Sequence, residues 1–177
     1  MNILEGTRSP RPNEGSTSGF APEISIREMR DGEDATAFRT LNEEWISRFF
    51  VLEAKDREQL GNPGKILSQG GHIFLVERGG ETVGCVALIP MPGGVYELSK
   101  MAVAPSLRGL GLGRRLLLHA ISQARLLGAQ SIFLGSNTKL ESAVKLYESV
   151  GFRHIAQEKL PPLAYSRANV FMEMELQ

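Results

Sequence analysis

Beyond residue 22 the chain switches repeatedly between two hydrophobic periods. Ile24-Ser25-Ile26-Arg27-Glu28 alternates, as a half-buried strand does. Between Glu33 and Phe50 the apolar positions Ala37, Leu41, Trp45 and Phe49 recur at every fourth residue, which predicts an amphipathic helix. A short second helix over Lys55 to Leu60 is stopped by Gly61-Asn62-Pro63. His72 to Glu77 and Thr82 to Ile89 read as strands joined at the hairpin turn Arg78-Gly79-Gly80-Glu81. Pro90-Met91-Pro92-Gly93-Gly94 breaks the second of these, and Val95 to Val103 is another strand. Leu112 to Leu127 predicts a helix with Leu117, Ala120 or Ile121, Ala124 and Leu127 as its apolar stripe and Gly128 as its stop. A short buried strand, Ser131 to Gly135, precedes a helix over Glu141 to Val150 that ends at Gly151. Phe152 to Glu158 and Asn169 to Leu176 complete the set as strands. The order βααβββαβαββ predicts a mixed α/β or α+β layered domain.

Composition narrows the function classes without choosing one. At 177 residues the length suits one domain, and 42% apolar residues suffice for an ordinary core. Residues 1–22 are rich in Gly, Pro, Ser, Thr and Asn, and are expected to form a disordered leader before a single domain over 23–177. Twenty Lys plus Arg balance twenty Asp plus Glu, which speaks against a dedicated nucleic-acid binder or a polybasic membrane anchor. The longest nearly unbroken apolar run, Val83 to Met91, is too short to span a bilayer, and no signal-peptide core is visible at the N-terminus. A cytoplasmic protein with no membrane partner is therefore the default expectation. The single cysteine, Cys85, rules out an intrachain disulfide and a Cys-rich zinc site. His72, His119 and His154 lack metal-ligand spacing, so no metal is expected. The 19 glycines exceed the usual share, and their positions prove informative.

Pro105-Ser106-Leu107-Arg108-Gly109-Leu110-Gly111-Leu112-Gly113-Arg114-Arg115 follows a predicted strand and opens a predicted helix. Free N–H groups at a helix start favour an anion, and glycines let backbone approach it closely. Glycine at every second position suits a phosphate or pyrophosphate nest, with Arg108, Arg114 and Arg115 adding charge. Two familiar phosphate loops fit badly. A P-loop needs Gly-Lys-Ser/Thr, whereas Arg114 follows Gly113; the dinucleotide fingerprint has different glycine spacing and belongs at a first strand. A tight strand-to-helix turn with no ligand is the plain alternative.

A second motif stands downstream. Ala143, Leu146, Tyr147, Gly151 and Phe152 form Ala-x-x-Leu-Tyr-x-x-x-Gly-Phe, while Arg108, Gly111 and Gly113 form Arg-x-x-Gly-x-Gly. Together, in this strand–helix order, they resemble the signatures of the GNAT superfamily of acyl-CoA-dependent N-acetyltransferases, over a stretch from about residue 23 to the C-terminus. The resemblance implies a mostly antiparallel sheet of about seven strands flanked by helices. It also implies acetyl-CoA as acyl donor, with the pantetheine arm paired to the backbone of Met101, Ala102 and Val103 like an added strand. The pyrophosphate would lie on backbone N–H groups of Arg108, Gly109, Leu110, Gly111, Leu112, Gly113 and Arg114. Many relatives also hold the cofactor with an asparagine, here Asn137, although theirs stands closer to the tyrosine.

Acetyl transfer to an amine needs a base for the amine, a donor for the oxyanion and a proton for the leaving thiolate. Tyr147 matches the family's usual general acid. Glu97 is the candidate base, on the strand ending at Val103, where period 2 places Glu97, Ser99, Met101 and Val103 on one face. A backbone N–H near Met101 is the expected oxyanion donor. Cys85 reads as a small buried hydrophobe rather than a nucleophile.

The resemblance places the acceptor amine, a small molecule, amino acid or peptide, against about 47–67 and 158–168. Phe49, Phe50, Glu53, Asp56 and Glu58 lie in the first segment, and Pro161, Pro162, Tyr165 and Arg167 in the second. Aromatic and acidic groups would suit a cationic amine, whereas Arg167 would suit a carboxylate. A catalytically silent CoA-binding or regulatory module, and a nucleotide-phosphate binder using the same loop, remain open as rivals. A homodimer is also left open.

Overall fold

A computed structural model describes residues 22–160 and 166–176. The expected leader 1–22 therefore lies outside the described residues except for Pro22, as do Pro161, Pro162 and Tyr165. The elements run β1 (Ile24–Glu28), α1 (Thr36–Phe49), α2 (Ala54–Gly61), α3 (Pro63–Ser68), β2 (His72–Arg78), β3 (Glu81–Met91), β4 (Val95–Val103), α4 (Leu112–Leu126), β5 (Ser131–Ser136), α5 (Glu141–Val150), β6 (Arg153–His154) and β7 (Val170–Glu175). The predicted order holds, with one added helix. Pro63 opens α3 at its first turn, where a missing N–H costs nothing, so the break at Gly61-Asn62-Pro63 restarts a helix as well as ending one. The expected strand over Phe152 to Glu158 shrinks to Arg153–His154, because a 3-10 turn takes up residues 157–159.

The seven strands form one sheet in the order β1-β2-β3-β4-β5-β7-β6. Every pair is antiparallel except β4 with β5, which run parallel. This is the mostly antiparallel seven-stranded sheet that the resemblance implied. Gly79 and Gly80 both take positive φ in the β2–β3 turn, as a two-residue turn matching the strand twist requires.

Each face of the sheet covers its own apolar cluster. On one face Leu112, Leu116, Leu117, Ala120, Ile121 and Ala124 of α4 pack on Phe74, Val76, Val86, Leu88 and Leu98, with Tyr147 of α5 at the margin. On the other, Phe38 and Ile46 of α1, Leu60 of α2 and Ile66 of α3 pack on Ile73, Leu75, Cys85, Ala87 and Ala102. Full burial of each large aliphatic group is worth roughly 1.5–3 kcal/mol.

Two predicted stripes need correction. In α1 the buried positions are Phe38, Asn42 and Ile46, one residue out of phase with Ala37, Leu41, Trp45 and Phe49. A polar residue occupies the middle of the true stripe, so hydropathy alone selects the neighbouring row. In α4, Leu127 is exposed past the helix end. No described helix is long and apolar enough to cross a membrane.

Candidate active site

The parallel pairing of β4 with β5 covers only Val95↔Ser131, Tyr96↔Ile132 and Glu97↔Phe133. Beyond Glu97 the two strands part, and a cleft opens between them. Its lining brings together Glu97, Ser99, Lys100 and Met101 of β4, Asn137 after β5, and Tyr147 of α5. The predicted residues Glu97, Met101, Asn137 and Tyr147 thus meet in one place. Asn42, Trp45 and Phe50 from α1 and its end, and Arg167 before β7, wall the opposite side.

β4 does not keep one face along its length. Cys85 pairs with Ala102 and Ala87 with Ser99, so Lys100 and Met101 together oppose Val86. This is a β-bulge, and Lys100 takes φ 53 within it. The extra residue reverses the alternation. Ser99 and Glu97 face the α1–α2 side with Ala87 and Ile89, whereas Met101 and Val103 pack with the α4 cluster. Period 2 therefore fails for Glu97, Ser99, Met101 and Val103, since no sequence period survives an inserted residue. A non-glycine residue in the left-handed region costs on the order of 1–2 kcal/mol, which its surroundings must offset.

Those surroundings are built by residues far apart in the sequence. The Lys100 amine meets Asp56 Oδ1 at 2.8 Å; the Lys100 side chain is 3% exposed and that of Asp56 0%. Arg167 donates to both Asp56 oxygens, at 2.5 and 2.9 Å, and the backbone N–H of Glu53 donates to Oδ2 at 2.9 Å. Burial alone would raise the Asp56 pKa, but the Arg167 and Lys100 hydrogen bonds outweigh it and hold the group at about 2. Burial pushes the Lys100 amine below its ordinary value against the pull of Asp56. Asp56 is thus committed to two cations and is not open to an incoming amine. Glu53 is also engaged, accepting from the backbone N–H groups of Ser166 and Arg167, and Glu58 pairs with Lys65 at the surface.

Tyr147 is 8% exposed, with its ring edge-on to Phe152 at 5.9 Å between centroids. Burial pushes its phenol up to about 12, so it is protonated at neutral pH. Glu97 is 13% exposed and lies 3.7 Å from the Lys55 amine. Asn137 donates to the Arg167 carbonyl at 2.5 Å and accepts from the Lys139 N–H at 2.8 Å, which secures the turn into α5. Cys85 is fully buried, its thiol pushed up to about 12 by burial, and the Asn42 amide donates to its sulfur at 3.2 Å. That is the environment of an inert thiol.

At the far end of β4 the glycine loop turns into α4. Gly109 and Gly111 have φ 78 and 79, and a Cβ on either would meet nothing within 4 Å, so the loop surface is open. The first turn of α4 carries no acidic residue, and its leading N–H groups have no partner within the helix. The arginines are tied elsewhere. Arg108 donates from Nε to the Val103 carbonyl at 3.0 Å, lies over the Trp45 ring at 4.9 Å and pairs with Glu44; Arg114 donates to Ser149 Oγ and Arg115 to the Ile24 carbonyl. An anion here would meet backbone donors and the helix dipole first. Among the described residues no group of three or more His, Cys, Asp or Glu is arranged to hold a metal ion.

The family model for the acetyltransferase (GNAT) family matches residues 34–152, the span that contains the loop, the cleft and Tyr147. The chain belongs to the GNAT acetyltransferase family. It is 34% identical over 136 residues to an N-acetyltransferase of Schizosaccharomyces pombe, covering 73% of this chain and 83% of that one. It is 40% identical over 95 residues to the N-acetyltransferase YjgM of Escherichia coli, covering 51% of this chain and 57% of the relative. A GNAT-family acetyltransferase structure from Staphylococcus aureus superposes with a TM-score of 0.79 at 25% identity, over 88% of this chain and 100% of that chain. An acetyltransferase from Salmonella typhimurium solved with its cofactor acetyl-CoA gives 0.69 at 23% identity, over 88% and 95%. As a GNAT protein, this chain sets the parted strands and the glycine loop side by side.

Proposed function

We propose that this GNAT protein transfers the acetyl group of acetyl-CoA directly to a primary amine, within a ternary complex of both substrates. The observation that carries the reading is the parting of β4 from β5 after Glu97, with Tyr147 on the cleft wall and the open glycine loop at the end of the same strand. The backbone of Met101, Ala102 and Val103 then pairs with the pantetheine arm. The N–H groups from Arg108 through Gly109, Leu110, Gly111, Leu112 and Gly113 to Arg114 receive the pyrophosphate. The Arg108 side chain steadies the loop from Val103 and Trp45 rather than reaching the anion. Asn137 holds the turn beside the cofactor.

In the reaction the amine nitrogen attacks the thioester carbonyl carbon. Glu97 accepts the amine proton, directly or through water. The oxyanion takes a hydrogen bond from the Met101 N–H, then collapses with cleavage of the C–S bond. Tyr147 gives its proton to the departing thiolate. Positioning of two substrates in one cleft supplies the remainder of the acceleration. The acceptor enters beside Phe50 and Arg167, from the α1–α2 side.

Tyr147→Phe tests the acid. Turnover, followed as thiol release over a panel of amines, amino acids and peptides, is expected to fall by roughly 10²-fold or more with acetyl-CoA affinity little changed. Unchanged turnover removes Tyr147 from the chemistry.

A further inference from the structure

Lys100 is the one non-glycine residue with positive φ among the described residues. It stands at the bulge that separates Glu97 and Ser99 from Met101 and Val103. Two contacts hold it, one at its amine and one at its carbonyl. Its amine is held by Asp56, which is itself clamped by Arg167 and by the Glu53 N–H. Its carbonyl accepts the Cys85 thiol at 3.6 Å, and the Asn42 amide in turn donates to that sulfur. The chain of contacts continues from the Arg167 carbonyl to the Asn137 amide, at the start of the turn that leads to Tyr147.

In a trans peptide the carbonyl and the next N–H point in opposite directions. Fixing the Lys100 carbonyl on Cys85 therefore directs the Met101 N–H away from Cys85, and Met101 lines the cleft. We infer that Lys100 is a positioning residue: its buried pair with Asp56 and the Cys85 contact on its carbonyl lock the bulge so that the Met101 N–H faces the thioester oxygen. Lys100 touches neither substrate in this account, and its charge serves the backbone. The inference rests on the acetyltransferase reading above.

The test uses the full chain and acetyl-CoA labelled with ¹³C at the thioester carbonyl. Infrared spectra of the bound thioester report the hydrogen bond on its oxygen, with affinity from calorimetry and folding from thermal melts. In the wild type the carbonyl band is expected to move to lower wavenumber on binding. Lys100→Met, which keeps the bulk but loses Asp56, is expected to lose that displacement while still binding acetyl-CoA. Lys100→Gly, which enters the left-handed region freely, is expected to retain most of it. If Lys100→Met does not fold, Asp56→Asn serves in its place and is expected to diminish the displacement. A full wild-type displacement in Lys100→Met or in Asp56→Asn overturns the positioning role. Equal loss in Lys100→Met and Lys100→Gly also overturns it, because relief of the left-handed strain would then fail to restore the bulge. A wild type that does not bind acetyl-CoA overturns the acetyltransferase reading itself and this inference with it.

Discussion

On the α4 side of the sheet Leu116, Leu117, Ala120 and Ala124 meet Phe74, Val86, Leu88 and Leu98, and among the described residues the buried charged groups, Asp56 and Lys100, lie elsewhere. On the α1–α2 side the interior also holds Asn42, Asp56 and Lys100. The first face is held by area removed from water and resists small changes of charge nowhere near it. The second is held partly by charge-assisted hydrogen bonds, and removing one partner leaves a buried charge uncompensated. The cleft lies where the two meet: Tyr147 comes from the apolar side and Lys100 from the polar side. The difference teaches that one wall of the cleft is built from apolar packing and the other from a buried ion cluster.

The largest break in that comparison is Asp56→Leu, which removes the buried carboxylate that Lys100 and Arg167 share. It is expected to cost about 3–5 kcal/mol in denaturant melts. Acid provides the same break without mutation. The folded Asp56 value of about 2 lies below the ordinary 3.8, so its contribution is full above the ordinary value and is lost as pH falls through about 2. Melts of Asp56→Asn over that range are expected to lack this part of the acid limb. The matching change on the other face, Leu117→Ala, is expected to cost about 3 kcal/mol through its cavity, with no dependence on acid pH. The smallest effect is expected at the junction of loop and α1. Arg108→Lys loses the planar contact over Trp45 and the Nε bond to Val103, at about 1 kcal/mol in the same melts.

The apolar side was readable from sequence. The expected bounds of β4 and α5 match to the residue, Gly128 stands past the end of α4, and Tyr147 of the second motif lines the cleft. These features follow from local signals: periodicity, helix stops and glycine spacing. The polar side was less readable. Asn42 in the middle of the buried row of α1 displaced the predicted stripe by one position. The bulge at Lys100 has no glycine to announce it. Asp56 and Arg167 each fall in the expected acceptor segments, but their union with Lys100 joins residues 44 and 111 positions away from Asp56. A lysine next to the apolar run Met101-Ala102-Val103 of β4 is the available hint that a buried carboxylate faces it.

Binding of acetyl-CoA is tested most directly at the loop. Gly111 has open space where a Cβ would be, so Gly111→Glu puts a carboxylate into the proposed pyrophosphate cradle and strains its positive φ. Calorimetric titration of the full chain with acetyl-CoA should show binding by the wild type and none by Gly111→Glu, with both proteins folded. A wild type that does not bind at high micromolar acetyl-CoA, or a variant that binds as well as the wild type, would contradict the proposed cradle.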